Sequence, residues 1–137
     1  MNLLLEIITP EKVIYKDEVD EIIVPTVNGE ITILPNHVNL LTQINPGEII
    51  IRKGVSQQSL AITGGFLDIN DNKLSILAEY AIKAQDIEVA RVMEAKKRAE
   101  KIMSEKSTDN EMKVAQAEII KAILELKVAT KHKRRPS

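Results

Sequence analysis

Apolar and polar positions change their period once along this chain, near residue 85. Before it, short runs rich in Ile, Leu and Val alternate with polar residues and are punctuated by turn formers, and all five glycines (29, 47, 54, 64 and 65) fall in this stretch. Period-two alternation between Gly, Pro and Asn turns marks half-buried strands. The pattern predicts nine, over 3–8, 13–16, 21–25, 30–34, 39–44, 48–52, 58–63, 65–70 and 73–78. Turns such as Asn45-Pro46-Gly47 and Asn70-Asp71-Asn72 join them. Nine short strands at this spacing predict an all-β sandwich or barrel over residues 1–84.

From Asp86 to Glu105 the residues are helix formers without Gly or Pro, and Val92, Ala95, Ala99 and Ile102 recur at spacings of three and four. Residues 107–110 then break the pattern. Thr108 followed by Glu111 is a capping-box signature for a second helix, whose apolar face reads Met112, Ala115, Ile119, Ala122, Ile123, Leu126, Ala129. A link this short predicts an antiparallel two-helix hairpin over 85–131. Residues 132–137, with Lys133, Arg134, Arg135 and Pro136, form a basic tail expected to fray. The fold class is therefore α+β in sequence order: an N-terminal all-β sandwich, then a C-terminal hairpin.

Composition narrows the chemistry. The chain of 137 residues holds no Cys and no Trp, and aromatics make up only 2%, so the core is aliphatic and thiol chemistry is excluded. Its formal charge of -1 conceals an acidic first part and a basic second part. Nothing near Met1 has the basic lead and apolar length of a signal peptide, so a soluble product is expected.

Residues 29–40 are the most informative stretch, because Glu30 and His37 stand at the two loop edges of a predicted strand. A catalytic site would need a nucleophile with a base, facing carboxylates or a metal cluster. His37 and His132 are the only histidines and lie far apart, so no metal pair is expected. Gly64-Gly65 lacks the Lys of a phosphate loop and suits a tight bend. The basic hairpin, with Lys96, Lys97, Arg98 and Lys101, could face nucleic-acid phosphates, but the acidic β part has no aromatic platform for bases. A non-enzymatic protein with no nucleic-acid partner is expected.

Five segments occur in an order that resembles one family: Ile8-Thr9-Pro10-Glu11-Lys12, Gly29-Glu30-Ile31-Thr32-Ile33-Leu34-Pro35-Asn36-His37, Ile44-Asn45-Pro46-Gly47, Thr63-Gly64-Gly65-Phe66 and Ile76-Leu77-Ala78. The chain resembles the epsilon subunits of F-type ATP synthases over nearly its whole length. That resemblance implies a non-catalytic rotor subunit of the central stalk, coupling proton-driven rotation of the membrane ring to ATP synthesis. Its implied partners are the gamma subunit, the c subunits of the ring, and the alpha and beta subunits of the catalytic head when the hairpin extends. Location at the cytoplasmic face of a bacterial cell membrane is implied, with a plastid thylakoid as the second choice.

By the same resemblance Glu30 and His37 match positions that face the ring loops. A turn histidine bonded to its own loop and a solvated strand acid are the plainer readings of the two. The chain departs from the family at Thr32, where a Gly is common, and at Val38-Asn39, where Ala-Pro is common. The loop therefore lacks a proline's fixed φ. An extended hairpin is implied to restrain ATP hydrolysis, with Lys121, Lys127, Lys131, Arg134 and Arg135 meeting the beta subunits. Some relatives bind ATP as a regulatory ligand, and Ile87, Glu88, Arg91 and Lys121 match that motif. Here Glu88 stands for Asp, Val92 for Ala, and Glu125 would set an acid opposite a triphosphate, which argues against binding. The second reading is a free-standing nucleotide-sensing or regulatory module.

Overall fold

Alternation of buried and outward side chains builds the first part of the structure, a computed structural model that describes residues 2–134. Ten strands form there: β1 (Leu3–Ile8), β2 (Val13–Val19), β3 (Glu21–Thr26), β4 (Gly29–Ile33), β5 (Leu40–Ile44), β6 (Gly47–Lys53), β7 (Ser56–Ile62), β8 (Gly65–Asn70), β9 (Lys73–Ala78) and β10 (Ala81–Lys83). In β1, Leu3, Leu5 and Ile7 point inward while Leu4, Glu6 and Ile8 point away, the period of a pleated strand.

Hydrogen bonding runs β10-β7-β6-β3-β5-β8-β9-β1-β2, with β4 added to β3. The path folds into two layers at β3. That strand pairs with β6 through Glu21, Ile22 and Ile23, but touches β5 only through Thr26 and Ile44. Pro25 lies between the two partners, where its missing N–H removes no ladder bond that either needs. Facing side chains of the two layers, among them Leu5, Ile22, Ile49, Leu60, Leu67 and Ile76, make one aliphatic core. The Lys53–Asp17 ion pair, 2.7 Å long, ties β6 to β2 across the layers.

Two strands differ from expectation. β2 continues three residues beyond Lys16, because Asp17, Glu18 and Val19 remain in register with Leu5, Leu4 and Leu3. Strand β10 was not expected; three residues are too few to show a period, and it exists because β7 offers it a ladder at Ala81, Ile82 and Lys83.

A second unit begins at Gln85, immediately after the compact unit that ends at Ala84. It contains α1 (Val89–Ser104) and α2 (Asp109–Arg134). The first helix starts later than the expected Asp86, since residues 84–86 form a single 3-10 turn and Glu88 is extended. At the link, Ser107 Oγ donates to the Ile102 carbonyl at 2.7 Å. Thr108 Oγ1 accepts the Glu111 N–H at 3.2 Å, the side-chain half of a capping box, while the Glu111 carboxylate accepts from the Thr108 hydroxyl at 3.0 Å rather than from its N–H. The helices pack on each other, with Ala99, Ala115 and Ala122 buried. Ile123, expected on the buried face of α2, is instead half exposed, and Val128 is buried.

The basic stretch was expected to fray from residue 132, yet α2 continues through His132 and Lys133 to Arg134. Lysines in a last turn complement the negative end of the helix dipole. Arg135, Pro136 and Ser137 lie outside the described residues. Among the described residues, no helix is long and apolar enough to cross a membrane.

Candidate functional site

Glu30 is placed by the turn before it. Thr26 is buried, and its Oγ1 donates to the Gly29 carbonyl at 2.6 Å while accepting the Asn28 N–H at 3.2 Å. Gly29 has a φ of 108°, a conformation that glycine adopts without penalty. Strand β4 then leaves with Glu30 exposed and opposite Pro25.

His37 lies beyond the other end of β4. A strand rises about 3.3 Å per residue, so β4 carries the chain about 10 Å from Glu30 to Ile33, and His37 follows four residues later. They do not form an acid–imidazole pair. His37 Nδ1 is 2.7 Å from the carbonyl oxygen of Val38. A carbonyl only accepts, so Nδ1 carries the proton and Nε2 is left for an outside partner. Val38 beside it is 77% exposed and Leu34 is 52% exposed, so the loop presents imidazole and aliphatic surface together.

Three hydrogen bonds that sequence reasoning passed over hold this shape. Asn36 N–H donates to Asn72 Oδ1 at 2.7 Å, Asp71 N–H donates to Asn39 Oδ1 at 3.2 Å, and Asn72 Nδ2 donates to the Asn2 carbonyl at 2.7 Å. Residues 70–72 were legible only as a turn, because the partners are dozens of positions apart.

A second surface was also missed. Phe66, Leu77, Ile8 and Val13 are register partners on β8, β9, β1 and β2, and therefore share a face. Phe66, the one phenylalanine of the chain, and Leu77 are each 57% exposed. Ile8, Pro10, Phe66 and Leu77 line a shallow cavity of about 300 Å³.

On the hairpin, the residues matched to a nucleotide motif do not make an open cationic cradle. Arg91 Nε is 3.2 Å from the carboxylate of Glu88, the residue just before α1, in a solvent-exposed ion pair. Ile87 is buried. Glu125 is only 6% exposed, and burial holds its carboxyl above the ordinary carboxylate range against the opposing effect of Lys121 one turn earlier. Lys127 and Lys131 are exposed on α2, which also carries Arg134, whereas Arg135 is not described. Among the described residues, no group of three His, Cys, Asp or Glu could hold a metal ion.

A sandwich of this strand order followed by a two-helix unit defines a class. Residues 2–84 match the family described as "ATP synthase, Delta/Epsilon chain, beta-sandwich domain", and residues 85–130 match "ATP synthase, Delta/Epsilon chain, long alpha-helix domain". The chain belongs to the ATP synthase delta/epsilon family, and among its members to the epsilon chains. It is 37% identical over 136 residues to the ATP synthase epsilon chain of Dehalococcoides mccartyi, covering 98% of this chain and 97% of that one. To the epsilon chain of Chloroflexus aggregans it is 38% identical, covering 97% and 96%. A chain in the Euglena gracilis mitochondrial ATP synthase structure of OSCP, F1 and c-ring shares the fold with a TM-score of 0.65 at 20% identity, covering 98% of this chain and 82% of that one.

Proposed function

We propose that this epsilon subunit acts in the central stalk as a non-catalytic rotor element, passing rotation of a proton-driven membrane ring to gamma. The observation that carries the reading is full-length coverage: both family domains are present, in order, in one chain. Glu30, His37 Nε2 and the exposed Val38 serve the polar ring loops. The apolar row of Phe66, Leu77, Ile8 and Val13 suits gamma, since a contiguous apolar face is a feature of stable subunit contacts. Attachment to the cytoplasmic face of the membrane is through the complex.

The hairpin supplies restraint of ATP hydrolysis. Its internal contact rests on small alanines, while Met93, Val114, Ile120 and Ile123 stay exposed. A helix pair with a shallow contact and uncovered apolar surface can exchange one partner for another. In the extended state Lys121, Lys127, Lys131, Arg134 and Arg135 meet acidic surface of the beta subunits. ATP is not a ligand in this reading, because Glu88 pairs with Arg91 and Glu125 places an acid on α2.

Assembly tests the proposal. The full chain is expected to co-purify with alpha, beta and gamma, and a chain lacking residues 86–137 is expected to assemble equally while the complex hydrolyses ATP several-fold faster. A chain that never joins the complex refutes the stalk role. Unchanged hydrolysis by the truncated complex refutes the restraint alone.

A further inference from the structure

Asn36, Asp71 and Asn72, with φ of 64°, 51° and 61°, are the three non-glycine residues with positive φ among the described residues, and all three meet at one end of the sandwich. Such conformations are costly for residues with a Cβ and persist where surrounding bonds hold them. Asp71 and Asn72 are the two central residues of the β8–β9 turn, between the paired Asn70 and Lys73. Positive φ at both positions matches the twist of a two-residue hairpin, and Asn-Gly or Asp-Gly would satisfy it. The turn therefore needs nothing from the Asn72 side chain. Yet both bonds made by that side chain leave the hairpin: its Oδ1 accepts the Asn36 N–H, and its Nδ2 donates to the Asn2 carbonyl. The Asn72 carbonyl also accepts the Leu4 N–H at 3.3 Å. Asn39, where no proline ring limits φ, is held by the Asp71 N–H instead. The 34–39 loop is thus fastened on both sides of His37 to one turn, and that turn is fastened to the start of β1.

We propose that Asn72 is a positioning residue of the contact surface, holding the 34–39 loop in the shape that presents His37 Nε2 and Val38 to the polar loops of the rotor ring. This role rests on the reading of His37 as a ring contact. It adds a residue 35 positions beyond that histidine in the sequence.

The test uses Asn72→Gly, which keeps the turn and deletes both side-chain bonds, and Asn72→Asp, which keeps the acceptor for Asn36. In the full chain, amide exchange at Asn36 is expected to speed up about five- to tenfold in N72G, the loss of roughly one network hydrogen bond, and to stay near wild type in N72D. In the reassembled synthase, ATP-driven proton pumping per ATP hydrolysed is expected to fall in N72G as it does in His37→Ala. The double variant should be no worse than either, and N72D should restore pumping. Unchanged Asn36 exchange in N72G, with H37A defective, overturns the role of Asn72 alone. Faster exchange in N72G with normal pumping in H37A overturns the ring-contact reading and this role with it. Additive defects in the double variant also overturn it, because Asn72 would then not act through the His37 loop.

Discussion

Gly65 occupies a position where a side chain has no room. Its φ is 154°, and a Cβ there would sit 2.0 Å from the carbonyl oxygen of Leu77, a backbone atom that cannot swing aside. Gly29 has a comparable φ of 108° but nothing within 4 Å. Gly29→Ala should therefore cost only the conformational term, about 1–2 kcal/mol. Gly65→Ala adds a backbone clash between β8 and β9 and should cost about 3–4 kcal/mol, read from urea unfolding midpoints. Equal losses in the two variants would show that the close approach is relieved at no cost. Residues also divide by how far their reason lies along the chain. The placement of Glu30 and His37 toward the two ends of β4 was legible because Gly29 and Pro35 mark the turns locally. Asn72 was not, since its side chain answers to Asn36 and Asn2.

At the scale of elements, the hairpin's caps were readable and its ends were not. Thr108 and Glu111 are three apart and the Thr108 hydroxyl caps the Glu111 N–H, so the start of α2 follows from local sequence. The start of α1 depends on the 3-10 turn at Ala84–Asp86, which no periodicity announces. Glu125 is the element's unusual member. Its carboxyl is raised by burial, so the folded hairpin bears a penalty while Glu125 is ionised. For a carboxyl whose folded value is raised, that penalty is complete above the folded value, shrinks as pH falls through it and vanishes below the unfolded value, ordinarily 4.5. Glu125→Gln should therefore raise the helical melting midpoint at about pH 7.5, with the difference closing by about pH 4. A difference independent of pH would mean that charge burial is not the cause.

The whole molecule joins an acidic sandwich to a basic hairpin, each a compact unit with its own buried side chains. Ligands that bind only the folded state raise the melting point, by about 2.7 kcal/mol of stability at a hundredfold excess over Kd. With Arg91 engaged by Glu88 and an acid at position 125, ATP at millimolar concentration should leave the thermal midpoint of the full chain unchanged. A dose-dependent rise would restore nucleotide sensing to this protein.

Sequence by itself determined the β-then-α order, the change near residue 85, eight of the strands closely and the second helix cap. These depend on period, turn chemistry and caps, which act over a few residues. Tertiary structure decided β10, the full length of β2 and the burial of Glu125, together with the clasp around His37. Each of those depends on a partner distant in sequence: a free strand edge, a register already set, a packed face or a side-chain acceptor across the sandwich. Local patterns report what a segment prefers, and only the folded chain shows what it meets.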